Sequence, residues 1–302
     1  MNSEVKAELN NYTYVDLFSG IGGFHIALNE LGAKCVYAAE WDEDCRKTYK
    51  ANFGNEEMLF TSLGDATKNF ATDITKVDVN DIPDHDILCA GFPCQPFSQA
   101  GLKKGFNDTR GTLFFNILEI LSNKKPKAFL LENVRGLLNH DNGKTFNVIQ
   151  QELKNLKYSF HFKVIKASEH NLPQHRPRLY MVGFREDIID KFEFPIEEPL
   201  TMTMSDIFDG ADVNKRIGFT LRVGGKNSDI NDRRNWDGYI VDGKVRRIKP
   251  KEGKRMQGFS DAFVFPVSDS VAMKQLGNSV AIPVVKAIGK NIISVLEENI
   301  YA

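Results

Sequence analysis

The residues best suited to chemistry in this chain are a cysteine, a glutamate and two arginines, each next to a short apolar segment. Cys94 lies between Pro93 and Gln95 in a glycine-rich loop, directly after the apolar segment 86–90. A loop cysteine of this kind is a candidate nucleophile, because the reactive thiolate needs an exposed or electropositive setting. Cys89, inside the apolar segment, is typical of core packing instead.

Glu132 follows a second apolar segment, and Arg176 and Arg178 precede a third. A carboxyl group at a strand end beside a closed pocket can have a raised pKa and act as an acid near neutral pH. Two arginines separated by one residue point to the same side of an extended segment, where they can bind an anion or a carbonyl group. Taken singly, a helix-capping glutamate and ordinary surface arginines explain these residues equally well.

A glycine-rich turn, 20–23, follows the apolar segment 14–18 and indicates a cofactor site. Such glycines let the backbone approach a ligand and open a helix whose N-terminus can interact with it. Glu40 stands twenty residues beyond Gly20, where an acid typically binds ribose hydroxyls, and Trp41 can stack on an adenine. The turn lacks the last glycine of the dinucleotide fingerprint, which favours an adenosyl ligand without a pyrophosphate. A simple tight turn remains the alternative.

Short apolar segments alternate with helical patterns through the first half of the chain, at 14–18, 35–39, 87–90 and 128–131. Strands buried on both faces and separated by helices predict an α/β fold with a doubly wound, mostly parallel, Rossmann-like sheet. From about residue 192 glycines and prolines interrupt the periodic patterns; a helical pattern returns at 252–256, and a last long helix follows at 283–298. We therefore predict a catalytic and cofactor-binding domain at 1–189 and 257–302, and a small loop-rich domain at 190–256.

The composition is that of a soluble globular protein, with 42% hydrophobic and 26% charged residues among 302. We find no apolar run near the roughly 20 residues of a membrane helix and no signal peptide, so we expect a cytoplasmic protein without a membrane partner. The four cysteines form no Cys-x-x-Cys pair, which predicts free thiols and no metal site.

The charge is unevenly distributed although the net charge is only −1. Segment 214–256 contains 13 Lys/Arg and 5 Asp/Glu, a local charge of +8, and the rest of the chain carries −9. A basic block on an acidic body is expected of a segment that meets phosphates, and a solvated basic face is the alternative.

Taken together these residues resemble the cytosine-5 DNA methyltransferases of bacterial restriction–modification systems, of the HhaI type. The resemblance covers nearly the whole chain in the family's motif order. It rests on 16–24, Glu40-Trp41, Asp73-Ile74 before 83–86, Pro93-Cys94-Gln95, Glu132-Asn133-Val134, Gln174-x-Arg176-x-Arg178, Arg246-Arg247 through 257–259, and Gly277-Asn278-Ser279-Val280. Gly64-Asp65-Ala66 also resembles the third motif, but the spacing to Pro83 favours Asp73.

The resemblance implies the activity of a DNA (cytosine-5-)-methyltransferase, which transfers a methyl group from S-adenosyl-L-methionine to a flipped-out cytosine and releases S-adenosyl-L-homocysteine. Cys94 would attack carbon 6, Glu132 would hold and protonate N3, and Arg176 and Arg178 would contact the base carbonyl or position Glu132 and the thiol. The implied cofactor residues are Phe18, Gly20, Gly23, Glu40, Trp41, Asp73, Ile74, Leu113, Asn278 and Val280. The implied DNA-binding residues are Gln95 and Ser98 in the closing loop, and Arg222, Gly224, Gly225, Lys226, Arg233 and Arg234 in the small domain.

Double-stranded DNA is the expected partner, bound at a short site by a monomer, with a restriction endonuclease paired in function but not in a stable complex. A transfer-RNA methyltransferase on the same catalytic domain is a close alternative, although the Cys-Phe-Thr signature of that branch is missing from the sequence. A nicotinamide-dependent oxidoreductase would explain only the glycine turn and Glu40. A DNA-binding regulator with a dead active site would leave Cys94 and Glu132 without a purpose.

Overall fold

The centre of the molecule is a seven-stranded sheet, seen in a computed structural model that describes residues 12–54, 70–71, 73–93, 113–224 and 227–299. In chain order its strands are β1 (Thr13–Leu17), β2 (Lys34–Ala39), β3 (Phe70–Ala71), β4 (Ile87–Gly91), β5 (Ala128–Val134), β6 (His161–Lys166) and β7 (Pro177–Phe184). Their order across the sheet is β3-β2-β1-β4-β5-β7-β6.

Strands β1 to β5 run parallel to one another, and β7 enters between β5 and β6, antiparallel to both. The parallel strands need crossover connections, which the helices provide. The chain order reverses between β1 and β4, and ligands bind beyond the carboxyl ends of strands at such a point. The predicted doubly wound, mostly parallel α/β architecture is therefore confirmed.

The helices of the described residues lie on both faces of this sheet. They are α1 (Gly23–Asn29), α2 (Glu43–Phe53), α3 (Leu113–Lys124), α4 (Lys144–Asn155), α5 (Met204–Ile207), α6 (Pro250–Gln257), α7 (Asp269–Asn278) and α8 (Ile282–Glu298). Helix α2 begins after Asp42, whose carboxylate accepts the N–H groups of Asp44 and Cys45 and caps the helix. Helix α8 carries Pro283 in its first turn, where a missing N–H costs nothing.

The sheet separates two apolar cores, as the alternation of side chains along its strands requires. In β1, Tyr14 packs into the core beneath α1 and α8, whereas Val15 and Leu17 pack into the core beneath α3 and α4. The two terminal portions of the chain share the first core, because α8 lies against α1. This contact brings the glycine turn that precedes α1 next to the segment that precedes α8.

The C-terminal stretch Asp269–Glu298 has the length and composition of a membrane span, with a mean hydropathy of 1.5 over its most apolar window. Sequence reasoning overlooked this, because Lys274, Lys286 and Lys290 interrupt the apolar run. In the structure the stretch divides into α7 and α8, and 61% of that window is buried inside the protein. Its apolar side chains are those of core helices.

The segment predicted as a small domain contains short elements around a two-stranded antiparallel hairpin, β8 (Gly238–Val241) and β9 (Lys244–Arg247). Its core includes Trp236 and Tyr239, both fully buried. The one-turn helix α5 was not predicted. A capping box of Thr203 and Asp206 stabilises its N-terminus. The domain limits at 190–256 stay a prediction.

Candidate active site

The chemically suited residues meet at one edge of the sheet, where the parallel strands end. Glu132 lies near the end of β5, and Arg178 lies at the start of β7, which runs the other way. Arg178 is paired with Val134, two positions beyond Glu132, so that both side chains project from the same face. The Arg178 Nε forms an ion pair with a Glu132 carboxylate oxygen at 3.1 Å.

A cavity of about 740 Å³ opens at this edge, within the size range of small-molecule sites. Every predicted cofactor residue lines it, together with three of the four predicted catalytic residues, and its wall contains segments from both ends of the chain. Those lining residues are Phe18, Gly20, Gly23, Glu40, Trp41, Asp73, Ile74, Leu113, Glu132, Arg176, Arg178, Asn278 and Val280. Their roles stay predictions, but the cavity brings them together.

Glu40 is held rigidly at the end of β2. One of its carboxylate oxygens accepts the Gly20 N–H at 2.7 Å and the other accepts the Asp42 N–H at 2.8 Å. Burial raises the pKa of Glu40, and the two N–H donors oppose that shift. Each oxygen keeps a free lone pair for a ligand hydroxyl. Trp41 beside it is 80% exposed, so its ring is available at the rim of the cavity.

The Glu132 carboxyl group is almost fully buried. Burial raises its pKa, while the positive charges of Arg178 and Arg176 lower it; burial has the larger effect. A carboxyl group in this state can retain a proton closer to neutral pH than an exposed glutamate can. It is therefore suited to donate that proton to a bound base.

Arg176 plays a different part from Arg178, although both line the cavity. Its terminal nitrogens donate to three main-chain carbonyls, those of Leu221, Gly277 and Ser279, at 3.2, 3.0 and 2.6 Å. Burial, followed by the nearby charge of Arg178, lowers the pKa of Arg176 to about 9, so the guanidinium remains charged at neutral pH. It thus joins the small domain to the cavity wall, and Arg178 is the arginine that contacts Glu132.

Three of the four cysteines belong to the described residues, and none has the setting of a nucleophile. Cys35 and Cys89 are buried, and Cys45 is half-buried in the cavity wall. Burial raises the pKa of all three thiols, which keeps them protonated and unreactive. Cys94 lies outside the described residues, directly after Pro93, which lines the cavity.

The predicted DNA-binding residues divide between the described and the remaining part of the chain. Arg222, Gly224, Arg233 and Arg234 are exposed in loops of the small domain. Arg234 is held by a forked ion pair with Asp232, with contacts of 2.6 to 3.2 Å. Gln95, Ser98, Gly225 and Lys226 lie outside the described residues, as does the alternative third motif 64–66.

Sequence reasoning missed part of the cavity wall that α7 supplies. Lys274 and Gln275 line the cavity, and Lys274 forms an ion pair with Asp42 at 3.2 Å. The Gln275 amide oxygen accepts the Thr48 hydroxyl at 3.0 Å. The buried positions Ala272, Met273 and Leu276 carry the helical spacing that could have revealed this element.

This fold, with its cavity at the strand ends, is that of the Rossmann-like methyltransferases that depend on S-adenosylmethionine. The crystal structure of the S. pombe Dnmt2 methyltransferase superposes with a TM-score of 0.68 at 20% identity, over 95% of this chain and 99% of that chain. At that identity the likeness shows the fold alone.

The sequence comparisons give the family. The family model of the C-5 cytosine-specific DNA methylases matches residues 12–239 and 217–294. The Type II methyltransferase M.SsoII of Shigella sonnei is 41% identical over 324 residues, which cover 96% of this chain and 82% of the relative. The Type II methyltransferase M.HhaI of Haemophilus parahaemolyticus is 38% identical, covering 96% and 97%. The chain belongs to the C-5 cytosine-specific DNA methylases, and it is a DNA cytosine-5-methyltransferase.

Proposed function

We propose that this enzyme methylates carbon 5 of a cytosine extruded from a short, specific site in duplex DNA, through a covalent adduct with Cys94. The observation that supports this most directly is the Glu132–Arg178 pair in the wall of the cavity, which Pro93 also lines. An acid and a thiol that face one cavity are what a nucleophilic attack on a pyrimidine ring requires. Extrusion is required because the ring cannot be reached inside the duplex.

The cavity fits the cofactor that the family and the fold imply. Glu40 is fixed with free lone pairs for ribose hydroxyls, the Trp41 ring is exposed for stacking, and the cavity volume suits a ligand of nucleoside size. When bound, S-adenosylmethionine supplies an electrophilic methyl group. The further residues that would hold it are Phe18, Gly20, Gly23, Asp73, Ile74, Leu113, Asn278 and Val280.

The protein's own groups act in sequence. The Cys94 thiolate attacks carbon 6, and the Glu132 carboxyl group donates its proton to N3, so that the ring does not accumulate negative charge. Arg178 keeps the Glu132 carboxyl group oriented during this step. Its positive charge then stabilises the Glu132 carboxylate that the proton transfer leaves. After carbon 5 gains its methyl group, N3 returns its proton to the Glu132 carboxylate and solvent takes the proton from carbon 5. The electrons of that carbon–hydrogen bond form the 5,6 double bond and expel the Cys94 thiolate.

The small domain is proposed to read the DNA, within the limits 190–256. Its exposed arginines and the local charge of +8 between 214 and 256 support this role. We further propose that the protein works in the cytoplasm as a monomer. We also propose that it is paired in function, without a stable complex, with a restriction endonuclease; its likeness to Type II methyltransferases supports the pairing.

Bisulfite sequencing of DNA treated with the purified protein and S-adenosylmethionine tests the activity and reads the site at once. We expect methylcytosine at one short sequence, and none with Cys94→Ser, which should retain DNA binding. A duplex that carries 5-fluorocytosine at the target should trap a covalent protein–DNA complex, because the position-5 proton cannot leave. Appreciable turnover by Cys94→Ser, or no complex from an active enzyme, would contradict the covalent route.

A further inference from the structure

One recognition loop of the small domain is fixed directly against the wall of the cavity. The Leu221 N–H donates to the Gln174 side chain at 3.0 Å, and the Leu221 carbonyl accepts from Arg176 at 3.2 Å. Two positions further than Arg222, the Gly224 carbonyl accepts the Trp236 ring N–H at 2.9 Å. The main chain on both sides of Arg222 is thus held by buried side chains.

The backbone of Arg222 also touches the cavity wall itself. A Cβ atom on Gly277 would stand 2.8 Å from the Arg222 carbonyl carbon and 2.9 Å from its oxygen, so only glycine permits this approach. Gly277 lines the cavity, and its carbonyl accepts from the same Arg176 guanidinium that binds Leu221. The position of Arg222 relative to the cavity is therefore fixed by direct contact.

The Arg222 side chain is exposed, and in the described part of the chain its guanidinium has no hydrogen-bond or ion-pair partner. Arg234 differs from Arg222, because its guanidinium is bound to the Asp232 carboxylate. The same contact lowers the pKa of Asp232 to about 2. Arg233 is exposed as well, but its loop is tied within the small domain, where Asn235 donates to the Ile230 carbonyl. Arg222 is the arginine of these three whose main chain abuts the cavity.

We infer that Arg222 is a specificity-determining residue, which reads a guanine at the target base pair or immediately next to it; this rests on the proposed function. A base that enters the cavity leaves its neighbours outside it, and the Arg222 main chain lies directly against Gly277 of the cavity wall. The planar guanidinium forks onto O6 and N7 of guanine in the major groove, and this contact requires a fixed main chain. A phosphate contact requires only charge, which a lysine supplies equally well.

The test measures kcat/KM on the duplex site identified by bisulfite sequencing, with each guanine replaced in turn by 7-deazaguanine, which lacks the N7 acceptor. For the unaltered enzyme, we expect kcat/KM to fall by about 5-fold to 150-fold when one particular guanine, at or beside the target, is replaced. Arg222→Ala should lose a comparable factor on the natural site and lose nothing more at that guanine. Arg222→Lys should recover only part of the activity that Arg222→Ala loses, because an ammonium group lacks the planar fork of the guanidinium.

Arg234→Ala is the matched control. It should change kcat/KM by the same factor whichever guanine is replaced, so that its sensitivity to each replacement matches that of the unaltered enzyme. Binding of S-adenosylhomocysteine, measured by calorimetry, checks that each variant keeps its cavity. The inference is overturned if Arg222→Ala remains as sensitive as the unaltered enzyme to every replacement, or if Arg222→Lys restores full activity, since a phosphate contact would then explain Arg222. If the unaltered enzyme methylates no DNA, the proposed function fails instead.

Discussion

Two opposite effects act on the Glu132 carboxyl group. Removal from water favours its neutral form, while the guanidinium of Arg178 at 3.1 Å and that of Arg176 favour its ionised form. Removal from water has the larger effect, so the pKa of Glu132 is raised even though an arginine is in contact with it. The carboxyl group therefore combines an available proton with a fixed orientation, as proton donation to a base requires.

Glu132→Gln should lower kcat by about 10²-fold to 10⁴-fold, because an amide cannot donate the proton to the base. In the unaltered enzyme, kcat/KM should fall as pH rises through the raised pKa of Glu132. This falling limb should lie above the usual pKa of a glutamate and vanish in the variant. Methyl transfer to the duplex site, followed across the pH range, measures both effects.

Glu119→Gln is the control, because Glu119 is exposed on α3 and does not line the cavity. It should leave activity and its pH profile unchanged.

Glu132 also makes the free energy of unfolding depend on pH. The folded state binds the Glu132 proton more tightly than the unfolded chain does, so the stabilisation from this proton is full at low pH and is lost as pH rises through the folded-state pKa. A variant with unaltered kcat would show that Glu132 is not the acid.

At the scale of elements, the end of α6 determines how the small domain connects to the C-terminal helices. Gly258 ends α6 at φ 86°, a left-handed conformation that costs other residues free energy. A Cβ atom there would stand 2.7 Å from Cδ of Pro283, in the first turn of α8. Gly210 has nearly the same φ, 87°, but no atom within 4 Å of such a Cβ.

The two glycines separate backbone strain from steric overlap. Gly210→Ala should lower the free energy of unfolding by about 1 kcal/mol, from backbone strain alone. Gly258→Ala should lower the free energy of unfolding by the same amount and by about 1–3 kcal/mol more, because the rigid ring of Pro283 cannot move aside easily. Urea unfolding followed by circular dichroism measures both. Equal losses in the two variants would mean that α8 shifts freely, against the packing described.

The central strands could be predicted because their apolar runs are short, buried on both faces and followed by turn residues. The position of β7 between β5 and β6 could not, since it depends on pairing between residues far apart in the chain. Helix α7 was missed because its periodic positions are few and Gly277 lies near its end. The helical spacing of Ala272, Met273 and Leu276 is therefore a weak local signal, and the packing of α7 against α6 is not visible in it.

Within the site, the strand-end rule and the family motifs predicted which residues line the cavity, yet they could not assign the roles of the two arginines. Arg176 and Arg178 are equivalent in the sequence, two positions apart. Their roles differ because the carbonyls of Gly277 and Ser279, about a hundred positions further along the chain, surround only Arg176. Such a contact exists only after the C-terminal part of the chain has folded against β7.

On the scale of the whole molecule, positive charge is concentrated in the segment proposed to bind DNA, and the part of the chain that contains the cavity acids is negative. The block 214–256 carries +8, while the rest of the chain carries −9 and contains the cavity residues Glu40, Asp73 and Glu132. A basic surface releases counterions from DNA when it binds phosphates, so its affinity depends on salt. The cavity is proposed to bind a small ligand through hydrogen bonds and stacking, and such binding should have no such dependence on salt.

Binding of duplex DNA should therefore weaken steeply between 50 and 200 mM salt, with a slope of about −0.9 in log affinity against log salt for each phosphate neutralised. Binding of S-adenosylhomocysteine should hardly change over that range. Lys244→Ala, exposed on β9, should reduce the slope by about 1, whereas Lys290→Ala, exposed on α8, should not. Fluorescence anisotropy of labelled DNA measures the slope, and equal slopes for both variants would place DNA elsewhere on the molecule.

The wall of the cavity also has a consequence for synthesis of the protein. One side comes from residues 18–23 and the other from 277–280, which are synthesised about 250 residues later. A nascent or prematurely terminated chain thus has a glycine turn with no opposite wall, because α8 is not yet there to pack on α1. We therefore expect a chain that ends before residue 277 to bind no methyl donor, so that translation errors of this kind yield inert protein.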